Sequence, residues 1–123
     1  MTILITGGAG FIGSNFAENW LKNNKGNLIN LDKLTYAGNL NNLLALKNNP
    51  SHIFIQGDIC DTQLISGLLE KYKPDRVINF AAESHVDRSI HGPEEFIQTN
   101  IIGTFRLLEA TKSYWLSMSK DKK

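Results

Sequence analysis

The sequence predicts an α/β fold, a parallel sheet with helices on both faces. Three observations point there: short wholly apolar runs recur along the chain, amphipathic stretches separate them, and a glycine-rich turn joins the first run to the first stretch. A strand buried on both faces needs a continuous apolar run, whereas a helix lying on a sheet needs only an apolar stripe. Strict alternation of the two favours parallel strands joined by right-handed crossovers.

Taken in order, Ile3-Leu4-Ile5, stopped by glycine, is strand one. Phe11, Ile12, Phe16, Trp20 and Leu21 then recur at helical spacing until Asn23-Asn24-Lys25-Gly26 ends the helix. Leu28 to Leu31 is strand two. Leu40, Leu43 and Leu44, with Leu46 beyond them, suggest a short helix closed by Asn48-Asn49-Pro50. Ile53-Phe54-Ile55 is strand three. Asp61 or Thr62 can cap the next helix, whose stripe of Leu64, Ile65, Leu68, Leu69 and Tyr72 is the clearest helical period in the chain. Lys73-Pro74-Asp75 breaks it, and Val77 to Ala81 is strand four. Pro93 can open a final helix that carries Phe96, Ile97, Ile101, Phe105 and Leu108. These are about the first four β–α units of a doubly wound sheet.

The totals fit one ordinary globular domain: 123 residues, 41% apolar and 20% charged. A net charge of +1 supplies no strong field for nucleic acid or an anionic membrane, so neither is expected as a partner. One cysteine, Cys60, excludes an internal disulfide and fits a reducing cytosol. No charged segment leads into a long apolar stretch, and no run approaches the roughly 20 residues of a spanning helix. The expectation is a soluble, cytoplasmic protein. Trp20 and Tyr72 are core candidates, and Cys60 reads as a small buried apolar filler. His52 and His91 read as surface residues, and Asp87 with Arg88 as a local ion pair. The many asparagines of the first fifty residues read as compositional drift. Nothing has metal-ligand spacing.

Thr6-Gly7-Gly8-Ala9-Gly10-Phe11-Ile12-Gly13 joins strand one to helix one. Gly8, Gly10 and Gly13 fit G-x-G-x-x-G, and Gly7, Gly10 and Gly13 fit G-x-x-G-x-x-G equally well. In such a turn one glycine permits the tight bend, one lets the backbone approach a pyrophosphate, and one lets helix pack on strand. The helix start then offers unpaired N–H groups and a positive dipole end to phosphate. A glycine pattern alone is weak, but Asp32 ends strand two nineteen residues after Gly13, close to the offset of about 20 expected for the acid that binds a ribose. A P-loop is excluded because no Gly-Lys-Ser/Thr follows.

With these residues in place the chain resembles the extended short-chain dehydrogenase/reductase family, which has a Rossmann-type sheet. Asp32-Lys33-Leu34-Thr35-Tyr36-Ala37-Gly38-Asn39 and Ala81-Ala82-Glu83-Ser84-His85-Val86-Asp87-Arg88-Ser89-Ile90 are similar to its dTDP-glucose 4,6-dehydratase branch, and Asn100-Ile101-Ile102-Gly103-Thr104 to a wider family signature. The resemblance implies NAD as cofactor and dTDP-glucose as substrate. It implies that Gly7, Gly10, Phe11, Ile12 and Gly13 hold the pyrophosphate, and that Asp32 binds the ribose beside Lys33, Leu34 and Thr35. Asp58 and Ile59 would flank the adenine. Phe80, Ala81, Ala82, Glu83 and Ser84 would line the nicotinamide side, and Thr99 would reach the cofactor from the last helix. Ser84 would also touch the sugar nucleotide, with His85 near it. Asp58 can equally be read as a turn cap, and His85 as an exposed loop residue. Residues 1–115 would form the NAD-binding domain and 116–123 a polar tail.

The family's chemistry, as the resemblance implies it, oxidises the sugar at C4, eliminates water across C5 and C6 and reduces C6, leaving NAD regenerated. It uses a tyrosine and a lysine four residues later, and a Thr-Asp-Glu segment. This sequence has neither, since Leu40, Arg76 and Met118 stand four after Tyr36, Tyr72 and Tyr114. No catalytic residue is therefore assigned. Ile101, Phe105 and Leu108 are candidates for exposed apolar surface, and the complete enzyme is expected to form a homodimer through helices that include the one near Glu94–Tyr114. Two other readings stay open: a dinucleotide-binding module without catalysis, and part of another nucleotide-sugar epimerase or dehydratase.

Overall fold

The structure, a computed structural model, describes residues 1–34, 40–81, 94 and 97–118. Four strands form one sheet: β1 (Thr2–Thr6), β2 (Asn27–Asp32), β3 (His52–Gln56) and β4 (Arg76–Asn79). They lie in the order β3-β2-β1-β4, and every neighbouring pair is parallel. The chain thus winds outward from β1 in one direction, then returns to its other side with β4. That reversal opens a crevice at the carboxyl ends of β1 and β4, where doubly wound sheets bind ligands.

Alternate residues of each strand serve opposite faces. On one face Leu4, Ile29 and Leu31 pack with Ile65, Leu68 and Leu69 of α2 (Thr62–Tyr72) and with Leu107 and Ala110 of α3 (Thr104–Ser117). On the other face Ile3, Ile5 and Leu28 pack with Ala17 of α1 (Phe11–Asn23) and with Leu43 and Leu46. Trp20 and Tyr72 are half-buried against these two cores.

Helix α2 follows the sequence closely. Asp61 is its N-cap, its carboxylate accepting from the Leu64 amide at 3.1 Å. Lys73 ends it in the left-handed conformation, its N–H donating to the Leu69 carbonyl, just before Pro74. Burying Ile65, Leu68 and Leu69 contributes roughly 1.5–3 kcal/mol each.

Elsewhere the structure departs from the periodicity. Leu40–Leu46 is a 3-10 helix; it buries Leu43 and Leu46 and leaves Leu40 and Leu44 exposed. Strand β4 stops at Asn79, short of Ala81: the Phe80 N–H still donates to the Thr6 carbonyl, but the Ala81 N–H donates to the Asn79 side chain. Phe11 and Ile12 are 79% and 70% exposed. The inner face of α1 is instead Gly13, Ser14 and Ala17, with Phe16, Trp20 and Leu21 beside it. The last helix is already helical at Glu94 and Ile97, passes through a π turn, Gln98–Gly103, and continues as α3, which runs two residues beyond position 115. Ile97, Ile101, Phe105 and Leu108 all face outward. The expected helix start at Pro93, with Phe96, lies outside the described residues.

Candidate cofactor site at the carboxyl edge of the sheet

Backbone bonds set the strand exits side by side. Gly7 N–H donates to the Leu31 carbonyl at 2.8 Å, Gly57 N–H to Asp32 at 3.0 Å, and Phe80 N–H to Thr6 at 2.9 Å. Gly7, Asp32 with Lys33, Gly57 with Asp58, and Phe80 with Ala81 therefore occupy one edge.

The β1–α1 turn has no room for side chains at three of its glycines. Gly7 has φ +71°, a conformation glycine adopts without strain, and a Cβ there would lie 2.5 Å from the Ala81 nitrogen. At Gly13 a Cβ would lie 2.3 Å from the Gly7 carbonyl oxygen, so the third glycine lets α1 close onto the turn. At Gly8 it would collide with the Asn30 side chain. Both spacings in the sequence thus have a physical basis. Gly10 is the N-cap of α1, in extended backbone with no side-chain cap, and the first intrahelical bond is Ser14 N–H to Gly10 at 2.9 Å. The N–H groups of Phe11, Ile12 and Gly13 consequently have no intrahelical acceptor. The first turn carries no acid, so nothing in it opposes an incoming anion.

Asp32 is nearly buried and joins two loops. Its Oδ2 accepts from Ala9 N–H at 2.8 Å and its Oδ1 from Leu34 N–H at 2.7 Å. Leu34 sits at φ 61°, a left-handed conformation that strains a branched residue and is favoured at ligand sites. Each carboxylate oxygen keeps a second lone pair for another donor.

Lys33 Nζ stands 3.3 Å from Asp58 Oδ2. Asp58 Oδ1 also accepts from Cys60 N–H at 2.9 Å, so the turn-cap reading of Asp58 describes its local role. Burial pushes the Asp58 carboxyl up, but the Cys60 amide and the Lys33 ammonium outweigh it and leave it below the ordinary value. Ile59 is buried, and Gly103 of the π turn packs on it so closely that a Cβ would lie 2.6 Å from the Ile59 side chain. Cys60 is half-buried, not a core filler. Its Sγ lies 3.3 Å from the Gln98 carbonyl, and burial, with Asp58 nearby, raises its pKa. Thr99 follows Gln98 on this π turn.

The structure therefore gathers Gly7, Gly10, Gly13, Asp32, Lys33, Leu34, Asp58, Ile59, Phe80 and Ala81 at one edge, with Phe11 and Ile12 bare beside them and Thr99 on the adjoining turn. Thr35, Ala82, Glu83, Ser84, His85, Asp87, Arg88 and His91 lie outside the described residues. His52 is not a free surface residue: its ring is half-buried with Nε2 3.1 Å from Asn30 Nδ2, and burial lowers its pKa. The asparagines are likewise more than drift. Asn30 is fully buried under Gly8, and Asn42 Nδ2 donates to the Ala9 carbonyl at 2.8 Å. The signal for Asn30 was its place as a polar residue inside an apolar strand.

These features define the class: a Rossmann-type parallel sheet whose first turn is shaped by glycines and tied to an acid at the end of β2. Comparison with known proteins narrows it. A family model described as GDP-mannose 4,6 dehydratase matches residues 4–123, and the chain belongs to that family. The dTDP-glucose 4,6-dehydratase of Escherichia coli is 51% identical over 123 residues, which is 100% of this chain and 34% of that protein. The crystal structure of DesIV, a dTDP-glucose 4,6-dehydratase from Streptomyces venezuelae with NAD bound, superposes with TM-score 0.88 at 43% identity, covering 94% of this chain and 37% of that one. A UDP-glucose 4-epimerase from Thermotoga maritima, solved with UDP-glucose, is similar at TM-score 0.82 and 35% identity, covering 93% and 35%. The chain spans about a third of the length of these relatives and matches the N-terminal portion of the dehydratases.

Proposed function

We propose that this chain is the NAD-binding portion of a dTDP-glucose 4,6-dehydratase, a lyase of nucleotide-sugar metabolism. The observation that carries the reading is the Ala9–Asp32 bond at 2.8 Å, which locks the glycine turn to the β2 carboxylate. The residues fit a dinucleotide: Cβ-free positions at Gly7, Gly8 and Gly13, and a helix start without a side-chain cap. Bound NAD supplies reversible hydride acceptance at its nicotinamide. The Phe11, Ile12 and Gly13 amides receive the pyrophosphate, the free lone pairs of Asp32 accept from the ribose, and Asp58 and Ile59 border the adenine. The same reading assigns Phe80 to Ser84 and Thr99 to the nicotinamide side, and Ser84 and His85 to the sugar nucleotide. Lys33 is already paired with Asp58, so it offers little compensation to a 2′-phosphate beside Asp32.

In this reading the cofactor domain runs through the end of α3 at Ser117, two residues past the boundary expected at 115. The same reading has the complete enzyme working as a cytoplasmic homodimer without a nucleic-acid partner, in keeping with a net charge of +1. Among the described residues no helix is long and apolar enough to cross a membrane, and no group of three His, Cys, Asp or Glu could hold a metal ion. The chain by itself should not convert dTDP-glucose, because general acid–base groups contribute about 10²–10⁴-fold each and it carries no Tyr-x-x-x-Lys. The test is incubation with dTDP-glucose and NAD, with Gly10→Val as control. The expected result is NAD binding by the native chain, none by Gly10→Val, and no 4-keto-6-deoxy product from either. A native chain that does not bind NAD overturns the assignment, and a product that scales with the native chain and is lost in Gly10→Val overturns the absence of catalytic groups from this chain.

A further inference from the structure

Three side chains converge on Gly8 and Ala9, and only one of them is the acid the fold class leads one to look for. Asp32 accepts from the Ala9 amide. From the opposite side, Asn42 of the 3-10 helix donates to the Ala9 carbonyl at 2.8 Å, across 33 residues of chain. From below, Asn30 lies fully buried against Gly8, so close that a Cβ there would be 2.0 Å from its Oδ1. That Oδ1 has no hydrogen-bond partner among the described residues, while Nδ2 faces His52. A fully buried amide with an unpaired oxygen is costly; a valine or leucine there would fill the strand without that cost.

We infer that Asn42 and Asn30 are positioning residues for the glycine turn, holding the Gly8–Ala9–Gly10 backbone in the shape that receives the pyrophosphate. The two peptide planes that flank Ala9 are each held, the Gly8–Ala9 plane through the Ala9 N–H by Asp32 and the Ala9–Gly10 plane through the Ala9 carbonyl by Asn42, so neither can rotate without breaking a bond. Asn30 forms the floor that keeps Gly8 from sinking into the sheet. The next residue, Gly10, caps α1, so the Ala9–Gly10 plane sets where the helix amides point. A loop held in its bound shape before the ligand arrives binds with less ordering cost. The inference rests on the cofactor reading for its consequence, but the clamp exists without any ligand.

Asn42 is exposed on its own turn, so Asn42→Ala and the near-isosteric Asn42→Leu should fold. Asn30→Ala empties a buried site and serves only as a supporting variant. Two measurements separate the possibilities. Amide hydrogen exchange on the ligand-free chain tests the clamp directly. The Ala9 and Gly10 amides should exchange roughly two- to tenfold faster in both Asn42 variants, the range for losing one neutral hydrogen bond, with Leu4 and Ile5 unchanged. Titration with NAD, ADP and adenosine then tests the consequence. NAD and ADP should bind roughly two- to tenfold more weakly, while adenosine, which lacks the pyrophosphate, should bind as before. Unchanged exchange at Ala9 and Gly10, or equal weakening of all three ligands, overturns the inference. A native chain that shows the exchange effect but binds neither NAD nor ADP sinks the cofactor reading and leaves the clamp standing.

Discussion

Helices α2 and α3 pack against the same face of the sheet, but the apolar stripe read from the sequence faces inward in α2 and outward in the last helix. In α2 the stripe read from the sequence is the buried one: Ile65, Leu68 and Leu69 are the core of that face. Along the π turn and α3 the large residues Ile101, Phe105 and Leu108 are 60%, 55% and 64% exposed, while Leu107 and Ala110 join the core of that face and Gly103 packs on Ile59. Positions 103, 107 and 110 also recur at helical spacing, so two stripes satisfy one period. The stripe that contains Gly103 wins because a residue without a side chain there lets the chain approach Ile59 and Cys60 more closely than a larger one could. Periodicity locates a helix; the sizes of its residues decide which face meets its neighbour.

The largest effect should come from α2. Ile65→Ala leaves a cavity in a full core and should cost about 2–5 kcal/mol, read as a lowered denaturant midpoint. A loss below about 1 kcal/mol would mean that α2 is not packed as described. Gly103→Val comes next. It presses a side chain into Ile59 and should cost about 1–3 kcal/mol by overpacking. A neutral outcome would show that α3 does not approach the β3–α2 loop closely. Phe105→Ser and Leu108→Ser should change the midpoint by less than about 0.5 kcal/mol and should reduce association in sedimentation, because they remove exposed apolar surface. A loss like that of Ile65→Ala would show the outer face of α3 to be covered within this chain.

The smallest effect lies away from both helices. Burial lowers the folded-state pKa of His52, so between that value and about 6.5 the unfolded chain binds more protons, and stability rises with pH across this window. It is lost as pH falls below about 6.5. His52→Gln should flatten that slope, leaving the lower-pH loss from Asp58, whose folded pKa is depressed and which is lost only as pH falls below the ordinary carboxylate range. A native midpoint that does not change between pH 7.5 and 5.5 contradicts the burial of His52.

The same contrast marks what was legible. Strand positions, the α2 cap at Asp61, the glycine turn and Asp32 were all readable, because each follows from local residue chemistry: a continuous apolar run, a capping carboxylate, a tight bend. The roles of Asn30, Asn42, His52 and Gly103 were not, since each depends on a partner far along the chain, as Asn42 on Ala9 and Gly103 on Ile59. Phe11 and Ile12 fitted a helical stripe and stand bare at the mouth of the glycine turn, where the geometry of the turn overrides periodicity.

The most direct test of the central claim is calorimetric titration of the native chain with NAD and, separately, NADP. Asp32 can accept from both ribose hydroxyls, each hydrogen bond to a charged group contributing about 1.5–3 kcal/mol, and a 2′-phosphate would replace that gain with repulsion that Lys33, held by Asp58 at 3.3 Å, does little to relieve. The account predicts saturable binding of NAD at one site per chain and weaker binding of NADP. Absence of saturable NAD binding, or NADP binding as tight or tighter, would contradict it.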